Sequence, residues 1–204
     1  MYKRQSQDNV NSEKTINLVK KFIASNQRKR RNLVNDIESS AESLYIVGEE
    51  IINNVDREGD DWCIGWVLQV LKKYKPNFFD KDIYNNWYYT KSGINLNYDN
   101  LQLNLLKQNF EEADRLTSAY LRKLAGKVAE NRGYVFYSEV KDMPDEDLVT
   151  IDRLWNIYSQ GKFGFSNQAK LLKSVGKRYD LLWPKIGWKK DGIWTRYPTS
   201  FCWS

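Results

Sequence analysis

Histidine is absent from the 204 residues. That removes His-based catalytic triads, imidazole-held zinc and a histidine axial ligand to haem. Cysteine is scarce. Cys63 and Cys202 stand far apart and in no Cys-x-x-Cys spacing, which excludes a thiolate metal cluster or a disulfide scaffold and fits a reducing compartment. No apolar run approaches the roughly 18 residues of a membrane span. The first 18 residues lack an apolar h-region and are too acidic, and too poor in Ser and Arg, for a typical transit peptide. The expectation is a protein that works in the compartment where it is made. Internal repeats and low-complexity tracts are also missing.

Aromatic residues, by contrast, make up 14% of the chain, with 8 Trp and 13 Tyr. That is far too many for a disordered tail. The net charge is +6, which suggests an anionic partner. The charge is unevenly placed. Residues 160–204 carry nine Lys/Arg against two Asp/Glu, a net of +7, and the other 159 residues sum to −1. Trp183, Trp188, Trp194 and Trp203, half of all the tryptophans, share that stretch.

Apolar residues recur at helical spacing through most of the chain. One stripe is Ile16, Val19, Phe22 and Ile23, and a longer one runs from Leu33 through Ile37, Ala41, Leu44 and Val47 to Ile51. Trp62, Cys63, Trp66, Val67, Val70 and Leu71 form a third. A second group begins near Tyr98, with Leu101, Leu105 and Leu106, then Phe110, Ala113, Thr117, Tyr120 and Leu124. Leu148, Ile151, Trp155 and Tyr158 follow, then Leu171, Leu172, Val175, Tyr179 and Leu182. Pro144 before three carboxylates suits a helix start. Only Gly133–Val140 has strand-like content, and one short piece makes no sheet, so the expected fold is all-α. Turn residues crowd 76–97. They predict an N-terminal helical bundle over 1–75, a linker over 76–97 and a C-terminal helical domain over 98–204.

Little of this carries catalytic chemistry. The carboxylate pairs at Asp60–Asp61, Glu111–Glu112 and Asp145–Asp147 are near neighbours in sequence and read as solvated faces or helix starts. Asn109 reads as the N-cap of the helix that carries Glu111 and Glu112. The basic run Arg28–Arg31 reads as a solvated face or helix end. Gly161, Gly164 and Ser166 match neither the Walker pattern nor GxGxxG. They read as a turn in which Gly161 closes one helix, Ser166 caps the next, and Phe163 and Phe165 fill the corner. No acid/base or nucleophile constellation is present, so the chain is not expected to be an enzyme.

The last 22 residues differ. They contain Pro184, Gly187, Gly192 and Pro198, which argue against a long helix, yet are rich in Trp, Ile, Tyr and Phe with cations interleaved. Such a segment buries itself on its own domain, a partner or a ligand. A porphyrin with two propionates fits a surface of aromatics rimmed by cations. The stacked bases of a single-stranded RNA fit it too, and a purely structural adaptor with the tail packed as core is a third reading.

The words YDNLQLNLLKQNFEEADRLT, DLVTIDRLW, YSQGKFGFSNQ and KIGWKKDGIWTRYPTSFCW, in that order over Tyr98–Ser204, resemble the Genomes Uncoupled Four family of oxygenic phototrophs. The resemblance covers about half of the chain. It implies an all-helical, non-enzymatic protein that binds protoporphyrin IX or Mg-protoporphyrin IX between flexible apolar loops. It further implies stimulation of Mg-chelatase through that enzyme's large porphyrin-binding subunit, and a link to tetrapyrrole signalling. Carried onto this chain, the porphyrin surface falls on Trp188, Ile193, Trp194, Tyr197 and Phe201, with Phe163 and Phe165 at its base. Lys189, Lys190 and Arg196 are chosen by charge and position as propionate partners. Asp114, Asp152 and Trp155 match motif positions and read as scaffold. Peripheral association with a membrane is a further expectation; nucleic acid is not the expected partner.

With no histidine, a bound magnesium would keep water or another oxygen ligand on its axial position. Two departures from the family pattern stand out. Phe110 replaces a usual Trp, and the sequence ends at Trp203–Ser204, where the family usually continues through another stretch of loop. The expectation from the second is weakened porphyrin binding. Asn-, Lys-, Ile- and Tyr-rich composition and the lack of a transit peptide point to a plastid-encoded protein of the stroma, with a cyanobacterial cytoplasm as the alternative.

Overall fold

In the computed structural model of the protein, residues 2–39, 56–74 and 87–195 are described. The chain divides into two compact units, Met1–Tyr89 and Thr90–Ser204. Both are helical, as the apolar periodicity requires.

In the first unit, α1 (Tyr2–Ala24) and α2 (Gln27–Ser39) pack together, and α1 also meets α3 (Trp62–Tyr74). Val19, Phe22, Leu33 and Ile37 are buried, in the order of the predicted stripes. The remainder of the second stripe, Ala41 to Ile51, lies outside the described residues. Every residue of α3 from Trp62 to Leu71 is buried, as expected of a helix apolar on all faces. Phe22 lies between Trp62, at 5.9 Å, and Trp66, at 5.1 Å.

The basic run has a structural use at one position. Arg30 donates to the carbonyls of Phe22 and Ile23 at 3.2 and 2.7 Å, at the negative end of α1, and pairs with Asp61 at 3.1 Å. Burial opposes the Asp61 charge, yet the Cys63 N–H and Arg30 outweigh it and hold the carboxyl below its usual range. Burial, and next the Asp61 carboxylate, push the Cys63 thiol far up, which keeps it protonated and inert at neutral pH. Cys202 lies outside the described residues.

The second unit is built on α4 (Asp99–Leu106), α5 (Phe110–Leu124) and α7 (Asp145–Tyr158), with the short α6 (Lys127–Arg132) following α5. Leu101, Leu105, Ala113, Leu124, Ile151, Trp155 and Tyr158 are buried where the helical spacing placed them. Buried polar groups clip these helices together. The Trp155 indole donates to Thr117 Oγ1 at 2.9 Å, and the Tyr158 hydroxyl donates to Gln102 at 3.0 Å. Asp147, wholly buried, accepts the Tyr98 hydroxyl at 2.6 Å and the Gly93 N–H at 2.8 Å. Thr150 donates to the Lys91 carbonyl at 2.8 Å. The stretch before Tyr98 is therefore fastened to α7 residue by residue.

Three local expectations are corrected. Asn109 occupies the N-cap position of α5 without a side-chain cap bond; its amide donates instead to Asn104 Oδ1 at 3.0 Å. Ser166 does not cap α8 (Phe165–Ser174), because the helix starts two residues earlier than such a cap would allow, with Gly164 at the N-cap. The acceptor comes from α7, where Asp152 Oδ1 takes the Ser166 N–H at 3.0 Å. Residues 189–194 form a two-residue ladder, β1 (Lys189–Lys190) antiparallel to β2 (Ile193–Trp194). The Asp191–Gly192 turn, with φ of 50° and 82°, is the mirror-image turn that Asp-Gly favours in tight hairpins. The strand-like stretch ending at Val140 carries a 3-10 turn, Tyr137–Asp142. This small hairpin leaves the fold class all-α.

Candidate functional site

Two apolar features of the second unit stand apart from its core. The first is a cavity of about 560 Å³, within the roughly 300–1,000 Å³ of small-molecule sites. Leu121 of α5 lines one side. Val135, Phe136, Tyr137, Val140 and Met143, from the stretch around the 3-10 turn, line another. Leu148, Val149 and Asp152 of α7 and Phe165 at the start of α8 complete it. Its rim is exposed to an unusual degree for apolar residues: Tyr137 is 95% exposed, Val149 63% and Phe136 50%. Isolated exposed apolar residues need no explanation, but a concave cluster of them does.

The geometry of the rim is held by charge. Arg132 pairs with Glu139 at 2.6 Å and lies over the rings of Tyr134 and Phe136, at 4.7 and 4.0 Å. Glu139 also accepts the Phe136 N–H at 2.7 Å. That N–H, and next Arg132, hold its carboxyl below the usual range. The aromatic rim therefore keeps its shape without burying itself.

The second feature is the C-terminal aromatic stack. Trp183, in α9 (Tyr179–Lys185), stacks on Tyr179 at 5.5 Å and almost parallel to Trp188 at 5.3 Å, with Trp194 at 5.8 Å. Lys189 Nζ sits 5.6 Å above the Trp194 ring. Ile193 and Trp194 remain exposed at the hairpin. Among the described residues, neither Lys189 nor Lys190 has a carboxylate partner.

The residues singled out from sequence fall into three places. Phe165 lines the cavity. Phe163 instead packs against Phe110, at 5.5 Å, and Trp155, at 5.9 Å. Trp188, Lys189, Lys190, Ile193 and Trp194 gather on the hairpin. Arg196, Tyr197 and Phe201 lie outside the described residues. Sequence reasoning missed Val135, Phe136, Tyr137, Val140 and Val149. One signal was available: the Tyr-Val-Phe-Tyr run fits neither a helical stripe nor a sheet, so its apolar content had no core to enter.

Among the described residues no group of His, Cys, Asp or Glu is arranged to hold a free metal ion, and no helix is long and apolar enough to cross a membrane.

Comparison with known proteins places the chain among relatives. Residues 91–204 match the GUN4-like family model. A Ycf53-like protein of Synechocystis is 36% identical over 162 residues, covering 78% of this chain and 70% of that protein. The ycf53 protein of Pyropia yezoensis is 41% identical over 56% of this chain and 48% of its own length. A tetrapyrrole-binding protein, chloroplastic, of Arabidopsis thaliana is 43% identical over 46% of this chain and 35% of its own length. The chain thus spans half or less of the last two relatives. The solved structure of GUN4 from Chlamydomonas reinhardtii superposes with a TM-score of 0.52 at 34% identity, covering 57% of this chain and 78% of that one.

Proposed function

The chain belongs to the GUN4-like family, and from that premise we propose that it is a non-enzymatic tetrapyrrole-binding protein whose macrocycle site is the cavity bounded by Phe136, Val149 and Phe165. The single observation that carries this reading is the exposed apolar rim around a preformed cavity. A porphyrin is flat and apolar over both faces and anionic at one edge, so its faces match the apolar walls. Contact with those walls supplies roughly 25 cal/mol for each Å² buried, less the cost of ordering the rim. Lys189 and Lys190, with Arg196, are the proposed partners of the propionates, and Trp188, Ile193, Trp194, Tyr197 and Phe201 the cover of the ligand. The tetrapyrrole-binding name of the Arabidopsis relative supports the ligand class.

The finer reading is that the ligand is protoporphyrin IX or Mg-protoporphyrin IX. The loaded protein then serves Mg-chelatase in chlorophyll synthesis through its large porphyrin-binding subunit, with a further part in tetrapyrrole signalling. The plastid stroma is the proposed location, since the similar proteins include a chloroplastic one; a cyanobacterial cytoplasm is the alternative, given the Synechocystis relative. The exposed Trp194 and Ile193 beside Lys189 and Lys190 also suit peripheral contact with an anionic membrane.

Tryptophan fluorescence quenching by deuteroporphyrin IX tests the site. The wild-type chain is expected to show saturable quenching. Val149→Glu places a carboxylate on an exposed rim position, where folding is spared but the apolar face is broken, and is expected to weaken binding about tenfold. Trp194→Ala is expected to weaken it less. Equal affinity in all three proteins would remove the cavity and the hairpin from the ligand site. Tight RNA-oligonucleotide binding that falls steeply with salt would favour the single-strand reading instead.

A further inference from the structure

In the earlier part of the second unit, cations meet carboxylates. Arg115 pairs with Glu112 at 2.6 Å, Lys127 with Glu130 at 3.2 Å and Arg132 with Glu139 at 2.6 Å. From Gln160 onward the supply of carboxylates fails, with only Asp180 and Asp191 in the sequence. Arg178 takes Asp180 at 2.7 Å, and Asp191 sits in the hairpin turn. Lys170 and Lys173 of α8 and Lys177 just beyond it are exposed. Among the described residues, none of the three has a carboxylate partner.

The helix by itself accounts for part of this. Cations at a helix C-terminus are favoured by its dipole, which suits Lys173 and Lys177. Lys170 is further back, three residues before Lys173 and so beside it on one face, where like charges repel. No acidic residue in the first turn of α8 offsets them, and the helix buries none of its residues. Its outer face is therefore not shaped by core packing.

That face has a definite chemistry. After Phe165, the exposed residues of α8 are Gln168, Ala169, Lys170, Lys173 and Ser174. They present no aromatic ring on which a base could stack and no apolar wedge to enter a bilayer. The cations are lysines, compact hydrated point charges, and not the planar guanidinium forks that grip phosphates in pairs. Ala169 and Ser174 are small, so a flat partner reaches the ammonium groups unobstructed.

We propose that the outer face of α8, with Lys177, docks an acidic protein surface, which the three lysines steer and hold by charge. Helix neighbours three or four apart stand about 5–6 Å from each other, within the Debye length of about 8 Å at physiological salt. A patch of carboxylates on the partner therefore meets them as one field, and the encounter is fast and salt-sensitive. This docking surface goes beyond the tetrapyrrole reading and does not rest on it.

The test compares the full chain with two triple variants of equal net charge. One is Lys170→Glu/Lys173→Glu/Lys177→Glu; the control is Lys14→Glu/Lys20→Glu/Lys21→Glu, three exposed lysines of α1. The probe is labelled poly-L-glutamate, followed by fluorescence anisotropy at low and at physiological salt. The α8 variant is expected to bind about tenfold more weakly than wild type, and the control within about twofold. Should the α8 variant melt well below wild type, the Lys→Gln triple replaces it, with an expected loss of about threefold. Quenching by deuteroporphyrin IX is expected to be the same in the α8 variant and the wild type. A parallel loss of quenching would assign the lysines to the ligand site and overturn the proposal. So would equal losses in both triple variants, or no binding of polyglutamate by the wild type. Tighter binding of an oligouridylate of matched charge, or of phosphatidylglycerol vesicles, lost in the α8 variant, would replace the acidic protein by a phosphate-bearing partner.

Discussion

Replacing Asp147 by alanine is expected to cost the C-terminal unit about 3 kcal/mol, read as a fall of about 10 °C in melting temperature. Asp147 sits in the first turn of α7 and is wholly buried. It accepts the Tyr98 hydroxyl at 2.6 Å and the Gly93 N–H at 2.8 Å, so it ties the segment entering α4 to α7. Alanine would leave the Tyr98 hydroxyl buried with no acceptor, and an unpaired buried polar group costs more than a made bond returns. Tyr98→Phe keeps the ring against Tyr120, 4.8 Å away, and is expected to cost about 2 kcal/mol. The double variant should cost clearly less than the two together, because the second change removes the orphaned hydroxyl left by the first. Additive losses would show that the two groups stabilise the unit independently.

The same pair sets an alkaline limit. Burial first, and then the Asp147 carboxylate, push the Tyr98 phenol well above its ordinary range. An unfolded tyrosine titrates near pH 10, so the folded state holds this proton more tightly than the unfolded one. The sign follows: the stabilisation is complete below about pH 10 and is lost as the pH rises beyond it. Burial raises Tyr120 in the same direction. Tyr98→Phe should accordingly flatten, without abolishing, the alkaline fall in melting temperature.

Gly164→Ala is the second substitution with a large expected effect, again about 3 kcal/mol, and here folding and ligand binding should fail together. Gly164 has φ 116° and ψ 160°, a region open in practice only to glycine, where other residues pay about 1–3 kcal/mol. The added β-carbon would stand 2.6 Å from Asp152 Oδ1 and 3.3 Å from the Asp152 carbonyl oxygen. Either the backbone moves or the carboxylate lets go of the Ser166 N–H. Both routes disturb Phe165 and Asp152, two cavity-lining residues. Ser166→Ala is the matched control and is expected to be nearly neutral, since the cap is supplied by Asp152. A Gly164→Ala protein that melts and binds porphyrin like the wild type would show that the α7–α8 corner is more yielding than its packing implies.

These effects could not have been placed from the sequence. The string around Gly161, Gly164 and Ser166 was legible as a helix–turn–helix corner, and Ser166 was a reasonable cap by residue type. The acceptor proved to be twelve residues before the glycine, on the preceding helix. Capping is a question of which oxygen reaches an N–H in space, and local sequence does not record that. Phe163 and Phe165 show the same limit. They are two residues apart and alike in chemistry, yet one packs against Phe110 and Trp155 while the other lines the cavity.

By itself the sequence determined the helical class, the buried stripes of α1 to α5 and α7, the absence of histidine chemistry, and the family resemblance carried by its C-terminal half. Those follow from periodicity and residue type, which act over one or two helical turns. The concentration of cations and tryptophans near the C-terminus was equally visible. Only the tertiary structure decided that Val149, Phe136 and Tyr137 surround a cavity, and that Trp188 and Trp194 gather on Trp183. A cavity is the space left where α5, α7, α8 and the 3-10 turn fail to close on one another. That space depends on packing between elements far apart in the chain, which no spacing along one element specifies.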